Sequence, residues 1–264
     1  MIRAVKLDPT GNITYLVTRK PTGADEAAIT RTLMAECEQV AYLEAPTLPG
    51  AQARIRLMGG EFCGNAAMAA ACWLAQKDSI ADGEERTVLL EVSGAAGVLA
   101  CAVKRKKDAF EGTVPMPGIE SEQFLRESGR GLIVIMMQGI LHLILENEAM
   151  LEKDSAEALL RRLAETMPAE AVGLLQWNRK MGYMTPLVYV RGSGTMVWET
   201  GCGSGSAAVG AWEAMRRGNG QHEIEIRQPG GLIRVIAEVR DGWAEKVWIR
   251  GNVRIGTEEK KEVG

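Results

Sequence analysis

A chain of 264 residues, 46% hydrophobic and 25% charged, has the make-up of an ordinary globular protein and can form one large domain or two of about 130 residues. Its net charge of −3 offers no basic face, so neither a nucleic-acid partner nor an anionic membrane surface is expected. Met1–Lys6 is too short and too broken by charge for a signal peptide, and the apolar run from Gly131 to Leu145 falls below the roughly 18–20 residues that span a bilayer, which points to the cytoplasm.

The chain is rich in short β-prone runs. In the first half these are Asn12–Thr18, Gln39–Glu44, Arg54–Met58, Thr87–Val92 and Val98–Lys104. The second half carries Leu132–Met137, Leu141–Glu146, Leu187–Val190, Thr195–Glu199, Glu223–Arg227, Leu232–Val239 and Lys246–Arg250. β-Branched residues fill them, and turns such as Asp8-Pro9-Thr10-Gly11, Gln138-Gly139 and Gln228-Pro229-Gly230-Gly231 bound them. Helical periodicity marks Asp25–Cys37, Ala66–Gln76, Ala156–Thr166 and Ser206–Arg216, with Ser155 as the expected N-cap of the third.

That order is β-rich, one apolar helix, β-rich, and then the same again. It predicts an α+β protein of two pseudo-symmetric halves, each a β-barrel-like sheet around a central helix. The turn-rich stretch Val114–Gly118 divides the chain into residues 1–117 and 118–245, with a last strand at about residues 246–258 open to joining the first half.

Two segments repeat each other. Cys63 opens CGNAAMAAACWLA and Cys202 opens CGSGSAAVGAWEA; the glycines, Trp73 with Trp212 and Ala75 with Ala214 coincide when the cysteines are aligned. The cysteines lie about half the chain apart. Both helices are apolar on nearly every face, as buried helices are. A cysteine just before a helix meets unpaired N–H groups and the positive end of the helix dipole, which favours thiolate. The same N–H groups can hold a carboxylate. Gly64 and Gly203 allow close backbone approach, and Asn65 and Ser204 suit the first turn. Two such heads at one site would suit removal of a proton from one face of a carbon and its return to the other. Buried structural thiols are the usual alternative, and the repetition argues against it. Cys37, Cys72 and Cys101 lack the glycine turn and read as core. Five cysteines without CxxC spacing, and only two histidines, His142 and His222, predict reduced thiols and no metal site.

With these motifs the chain resembles the diaminopimelate epimerase-like family of cofactor-independent amino-acid racemases and epimerases. The resemblance rests on Gly11-Asn12, Phe62-Cys63-Gly64-Asn65, Gly201-Cys202-Gly203-Ser204-Gly205 and Gln228–Leu232. It implies catalytic Cys63 and Cys202, one as thiolate base and the other as thiol acid, with no cofactor. Asn12, Gly64, Asn65, Gly203 and Ser204 fall at its substrate-binding motifs. Its fold is two similar halves, each a barrel around a central helix, and a homodimer is the assembly left open.

The polar grip on a second, distal carboxylate is altered. Ile140, Gly173 and Thr200 stand where diaminopimelate enzymes have two amides and an arginine, and Arg191 reads either as a cation reaching that pocket by another route or as a solvated loop residue. Pro9–Asn12, Cys37–Val40, Glu61–Ala66 and Val197–Glu199 resemble the histidine racemases of opine-metallophore pathways. That resemblance places Glu38 and Glu199 near the substrate, where a carboxylate can hold an α-ammonium. The expected activity is racemisation of a small free amino acid, with histidine first. Diaminopimelate or a proline-like ring, and a thiol-redox role for the two cysteines, remain alternatives.

Overall fold

The computed structural model describes residues 1–107, 109–127, 129–146 and 150–263. The chain folds as two units, one of Met1–Pro115 with Arg250–Gly264 and the other of Met116–Ile249.

The first unit runs β1 (Ile2–Pro9), β2 (Thr14–Arg19), α1 (Glu26–Leu33), β3 (Gln39–Glu44), β4 (Ala53–Leu57), α2 (Gly64–Lys77), β5 (Glu85–Val92), β6 (Val98–Lys106) and β7 (Ala109–Pro115). Neighbouring strands pair in chain order, and the last part of a long C-terminal strand, numbered β16 below, pairs with both β7 and β1. The sheet therefore closes on itself. Helix α2 packs against β1, β2, β4, β5, β6 and β7, and every residue from Gly64 to Trp73 is buried. Small side chains make this enclosure possible: a Cβ on Gly112 of β7 would come within 2.5 Å of Met68 and 3.0 Å of the Cys72 sulfur. Helix α1 is amphipathic and covers the outer face. Asp25 caps it by accepting from Ala27 and Ala28 N–H, and Ile29 and Leu33 pack on Tyr15, Val17, Val40 and Tyr42. Burying two such side chains contributes about 1.5–3 kcal/mol each.

The second unit runs β8 (Ile119–Glu127), β9 (Arg130–Met137), β10 (Ile140–Glu146), α3 (Lys153–Thr166), β11 (Ala171–Asn178), β12 (Tyr183–Val190), β13 (Thr195–Trp198), α4 (Gly203–Arg217), β14 (Gly220–Gln228), β15 (Gly231–Arg240) and the first part of β16 (Trp243–Lys261). The strand order is β8-β9-β10-β11-β12-β14-β15-β16, with β13 added to β12. Helix α4 lies against β10, β11, β14 and β15, and α3 covers the other face through Leu159, Leu160 and Leu163.

The two units repeat one wiring. β2 and β3 are parallel and linked through α1, as β10 and β11 are linked through α3. β4 and β5 are parallel around α2, as β12 and β14 are around α4. The α+β class with a central helix in each half is thus the one read from the sequence. One cap differs: α3 starts at Lys153 with Glu152 at its N-cap and no side-chain capping bond, so Ser155 is already helical.

Candidate active site

The residues that open α4 are fixed by a closed set of hydrogen bonds. Cys202 is the N-cap, in extended conformation, and its carbonyl accepts from Ser206 N–H at 3.0 Å and Ser206 Oγ at 2.7 Å. Gln228, the last residue of β14, accepts from Cys202 N–H at 2.7 Å and donates to Ser206 Oγ at 2.8 Å. The Pro229–Gly231 turn adds a bond from Gly230 N–H to the Thr200 carbonyl at 2.7 Å. The sulfur accepts from Gly205 N–H at 3.3 Å and lies 3.6 Å from Ser204 Oγ. Position 205 is close-packed: a Cβ there would sit 3.0 Å from the sulfur and 2.8 Å from the end of the Leu175 side chain, which would have to shift.

The helix head favours a thiolate at this position, and the surroundings of Cys202 oppose it. Cys202 is buried, and burial pushes its thiol well above the usual cysteine range; the Glu199 carboxylate raises it further by charge and by a hydrogen bond. Ser204 and Gly205 pull the other way and are outweighed. Two helix-head donors do not compensate for desolvation plus an adjacent anion. Cys202 therefore rests as a thiol.

Cys63 holds the matching place on α2. It is the extended N-cap residue, its carbonyl accepts from Ala67 N–H at 3.0 Å, and it is only partly buried. Gly64 and Asn65 follow as the first, buried residues of the helix. The approach to Cys63 is pinned: Ser93 donates to the Glu61 carbonyl at 2.8 Å and accepts from Leu57 N–H at 2.9 Å. Gly94, at φ +72°, passes so close to Phe62 N that no Cβ fits.

Of the other expected residues, Asn12 and Glu38 meet in the first unit, Asn12 Nδ2 donating to Glu38 at 2.7 Å. Asn12 is buried, and its Oδ1 has no hydrogen-bond partner. Glu199, Gly203 and Ser204 gather at Cys202. Arg191 is accounted for elsewhere: it donates to the carbonyls of Ala164 and Met167 at 2.6 and 2.7 Å and closes the C-terminus of α3. Cys72 and Cys101 are buried as expected, and Cys37 is half-buried against the α1 core. No disulfide joins any of the five among the described residues.

Gln228, His142 and Gly173 take on structural roles here that the sequence did not suggest. His142 is fully buried, with Nε2 3.1 Å from Ser204 Oγ, and it pairs across the sheet with Gly173. The available signal was a polar residue at a core-facing position: Gln228 ending an alternating strand, and His142 within the apolar run of β10.

Comparison with known proteins decides the family. Residues 1–261 match the family model described as histidine racemase CntK N-terminal domain. The chain belongs to that family. It is an isomerase of the amino-acid racemase and epimerase class. A histidine racemase of Staphylococcus aureus is 26% identical over 96% of this chain and 94% of its own length. A histidine racemase of Fusobacterium nucleatum is 27% identical over 98% and 96%. Among solved structures, one described as a predicted epimerase of Pseudomonas aeruginosa matches all of both chains with TM-score 0.73 at 17% identity, which shows the fold. No helix among the described residues is long and apolar enough to cross a membrane. Nor does any group of three or more His, Cys, Asp or Glu among them lie as a metal site would require.

Proposed function

We propose that the chain racemises a free amino acid, histidine first, by a two-cysteine mechanism without pyridoxal phosphate or metal. The observation that carries this reading is the equivalence of Cys63 and Cys202: each is the extended N-cap of the buried helix around which its own unit is built.

One sulfur, as thiolate, takes the α-proton; the C–H bond breaks, an S–H bond forms, and the electron pair spreads onto the substrate carboxylate. Unpaired N–H groups at a helix start are suited to that charge, because they are already oriented when it develops. The other cysteine gives its S–H proton to the opposite face of the same carbon and becomes thiolate, ready for the reverse direction. Burial and Glu199 favour the thiol form of Cys202, which suits it to the proton-giving role for the enantiomer whose α-proton faces Cys63. Glu199 and Glu38 are the carboxylates proposed to hold the substrate ammonium. Asn12, which donates to Glu38, would keep that carboxylate in place.

Support for histidine comes from the family and from the replaced polar grip. At position 173, where a diaminopimelate enzyme has an amide, the space beside the backbone is filled by the His142 ring. The test is to incubate the purified protein with each L-amino acid and follow inversion by chiral chromatography. Inversion of histidine ahead of the others is expected; inversion of none would overturn the reading.

A further inference from the structure

The carbonyl two residues ahead of each N-cap cysteine is tied in the same way in both units. In the second unit the Thr200 carbonyl accepts from Gly230 N–H at 2.7 Å, and Gly230 lies in the turn that follows β14. In the first unit the Glu61 carbonyl accepts from Ser93 Oγ at 2.8 Å, and Ser93 opens the turn that follows β5. β5 and β14 hold equivalent places, each being the strand that follows its unit's central helix. One half makes the tie with a backbone N–H and the other with a side-chain hydroxyl. The Ser93 oxygen also accepts, at 2.9 Å, from the N–H of Leu57, the last residue of β4, and Ser93 N–H is itself bonded to the Ile55 carbonyl at 2.9 Å. A single hydroxyl thus closes the loop between β4 and α2 at both ends. Inside that loop Gly59 and Gly60 have no side chains to pack, and Gly60 stands at φ +79°, so little else stiffens the backbone there. Cys63 follows in extended conformation, at φ −134° and ψ 110°, and a rotation of the Glu61–Phe62 backbone would swing its sulfur.

We infer that Ser93 is a positioning residue for one half of the reaction: by bridging Leu57 N–H and the Glu61 carbonyl it sets the direction of the Cys63 sulfur. It does with its hydroxyl what Gly230 does for Cys202 with a backbone N–H. This rests on reading Cys63 as a reacting thiol. Its consequence is an asymmetry: loss of the hydroxyl disables proton transfer at Cys63 and leaves proton transfer at Cys202 untouched, because Cys202 has its own ties to Gln228, Ser206 and Gly230.

The test places S93A in two backgrounds, C202S, where Cys63 is the remaining thiol at a helix head, and C63S, where Cys202 is. Exchange of the histidine α-proton in D₂O is followed by NMR for the enantiomer that each thiol serves. S93A is expected to slow exchange roughly ten- to a hundredfold in C202S, since a misplaced reacting atom costs about that much, and to leave C63S within about twofold. S93T keeps the hydroxyl, and Ser93 is only half-buried, so it should stay within about threefold in both backgrounds. A general structural defect would slow both backgrounds alike. Equal slowing in the two, or an unchanged rate in S93A/C202S, overturns the inference. Should S93A not fold, S93V and S93T decide it, being alike in shape and differing in the hydroxyl: equal rates in C202S overturn the inference. A second readout needs no substrate. Amide hydrogen exchange in the peptide Leu57–Phe62 should be at least about tenfold faster in S93A than in the parent, with Gly201–Ser206 unchanged, and a parental rate at Leu57–Phe62 also overturns the inference. If neither single-cysteine parent exchanges the α-proton while this amide pattern holds, the racemase reading fails and the hold of Ser93 on the Cys63 loop stands.

Discussion

Gln228 holds the backbone of Cys202 through both ends of its amide: Oε1 accepts from Cys202 N–H at 2.7 Å, and Nε2 reaches, at 2.8 Å, the Ser206 hydroxyl that bonds the Cys202 carbonyl. The Cys202 sulfur is thus carried on a residue tied at both its backbone donor and its backbone acceptor. Gln228→Leu would leave the buried Cys202 N–H unmatched, remove the donor to the Ser206 hydroxyl, and should cost about 1–3 kcal/mol of stability. Urea unfolding measures this, and racemisation should fall in the folded fraction, since the sulfur is no longer fixed.

The buried imidazole sets an acid limb on stability. His142 has a native pKa of about 3 against an ordinary value of 6.5. Between those values the unfolded chain binds a proton that the native protein does not. Stability should therefore be fully present above about pH 6.5 and fall with decreasing pH, at most about 1.4 kcal/mol per pH unit from this group. H142Q should flatten that limb. Denaturant midpoints between pH 7 and pH 4, on the order of three pH units, are the measurement.

Gly210 illustrates packing overriding propensity. Alanine is favoured over glycine within a helix by about 1 kcal/mol. A Cβ here, however, would lie 2.5 and 2.6 Å from the two γ-carbons of Val235 on β15. Overpacking costs about 1–3 kcal/mol, so G210A should be net destabilising. An unfolding midpoint above that of the parent would show that β15 can shift away.

Much of this architecture is legible in the sequence because the two central helices are apolar all round, and no other role suits Ala66–Ala71 or Ala207–Ala211. Strand β1 escaped because its pairing is irregular on both sides, with register shifts between Arg3 and Ala4 against β2 and between Val5 and Leu7 against β16. Strand β7 carries Gly112 and ends at Pro115, which read as breakers, yet Gly112 is there to admit α2. Strand β8 is exposed along most of its length and so lacks an apolar face. Strand β11 was missed at Gly173, whose missing side chain is filled by His142 from a neighbouring strand. At the site, the motif gave the cysteines and their neighbours. It could not give the state of Cys202, because that depends on Glu199 and on burial, and helix-dipole reasoning sees neither.

Substrate choice should follow position 173. Histidine is expected to turn over at least about tenfold faster than diaminopimelate, because a distal carboxylate without its polar grip is buried unmatched. G173N would restore an amide but displace the His142 ring, so it should lose histidine turnover without gaining diaminopimelate turnover. Circular dichroism for the first and chiral chromatography for the second, at equal concentration, measure the ratio.

The most direct test of the two-cysteine mechanism is α-proton exchange in D₂O, followed by NMR, for each histidine enantiomer with C63S and C202S. Serine is nearly isosteric with cysteine but far less acidic, so both variants should fold and both should lose racemisation by about a thousandfold or more. Each should still exchange the α-proton of the one enantiomer whose proton faces the remaining thiol, with its configuration kept. Near-normal inversion of histidine by either single variant would contradict the account.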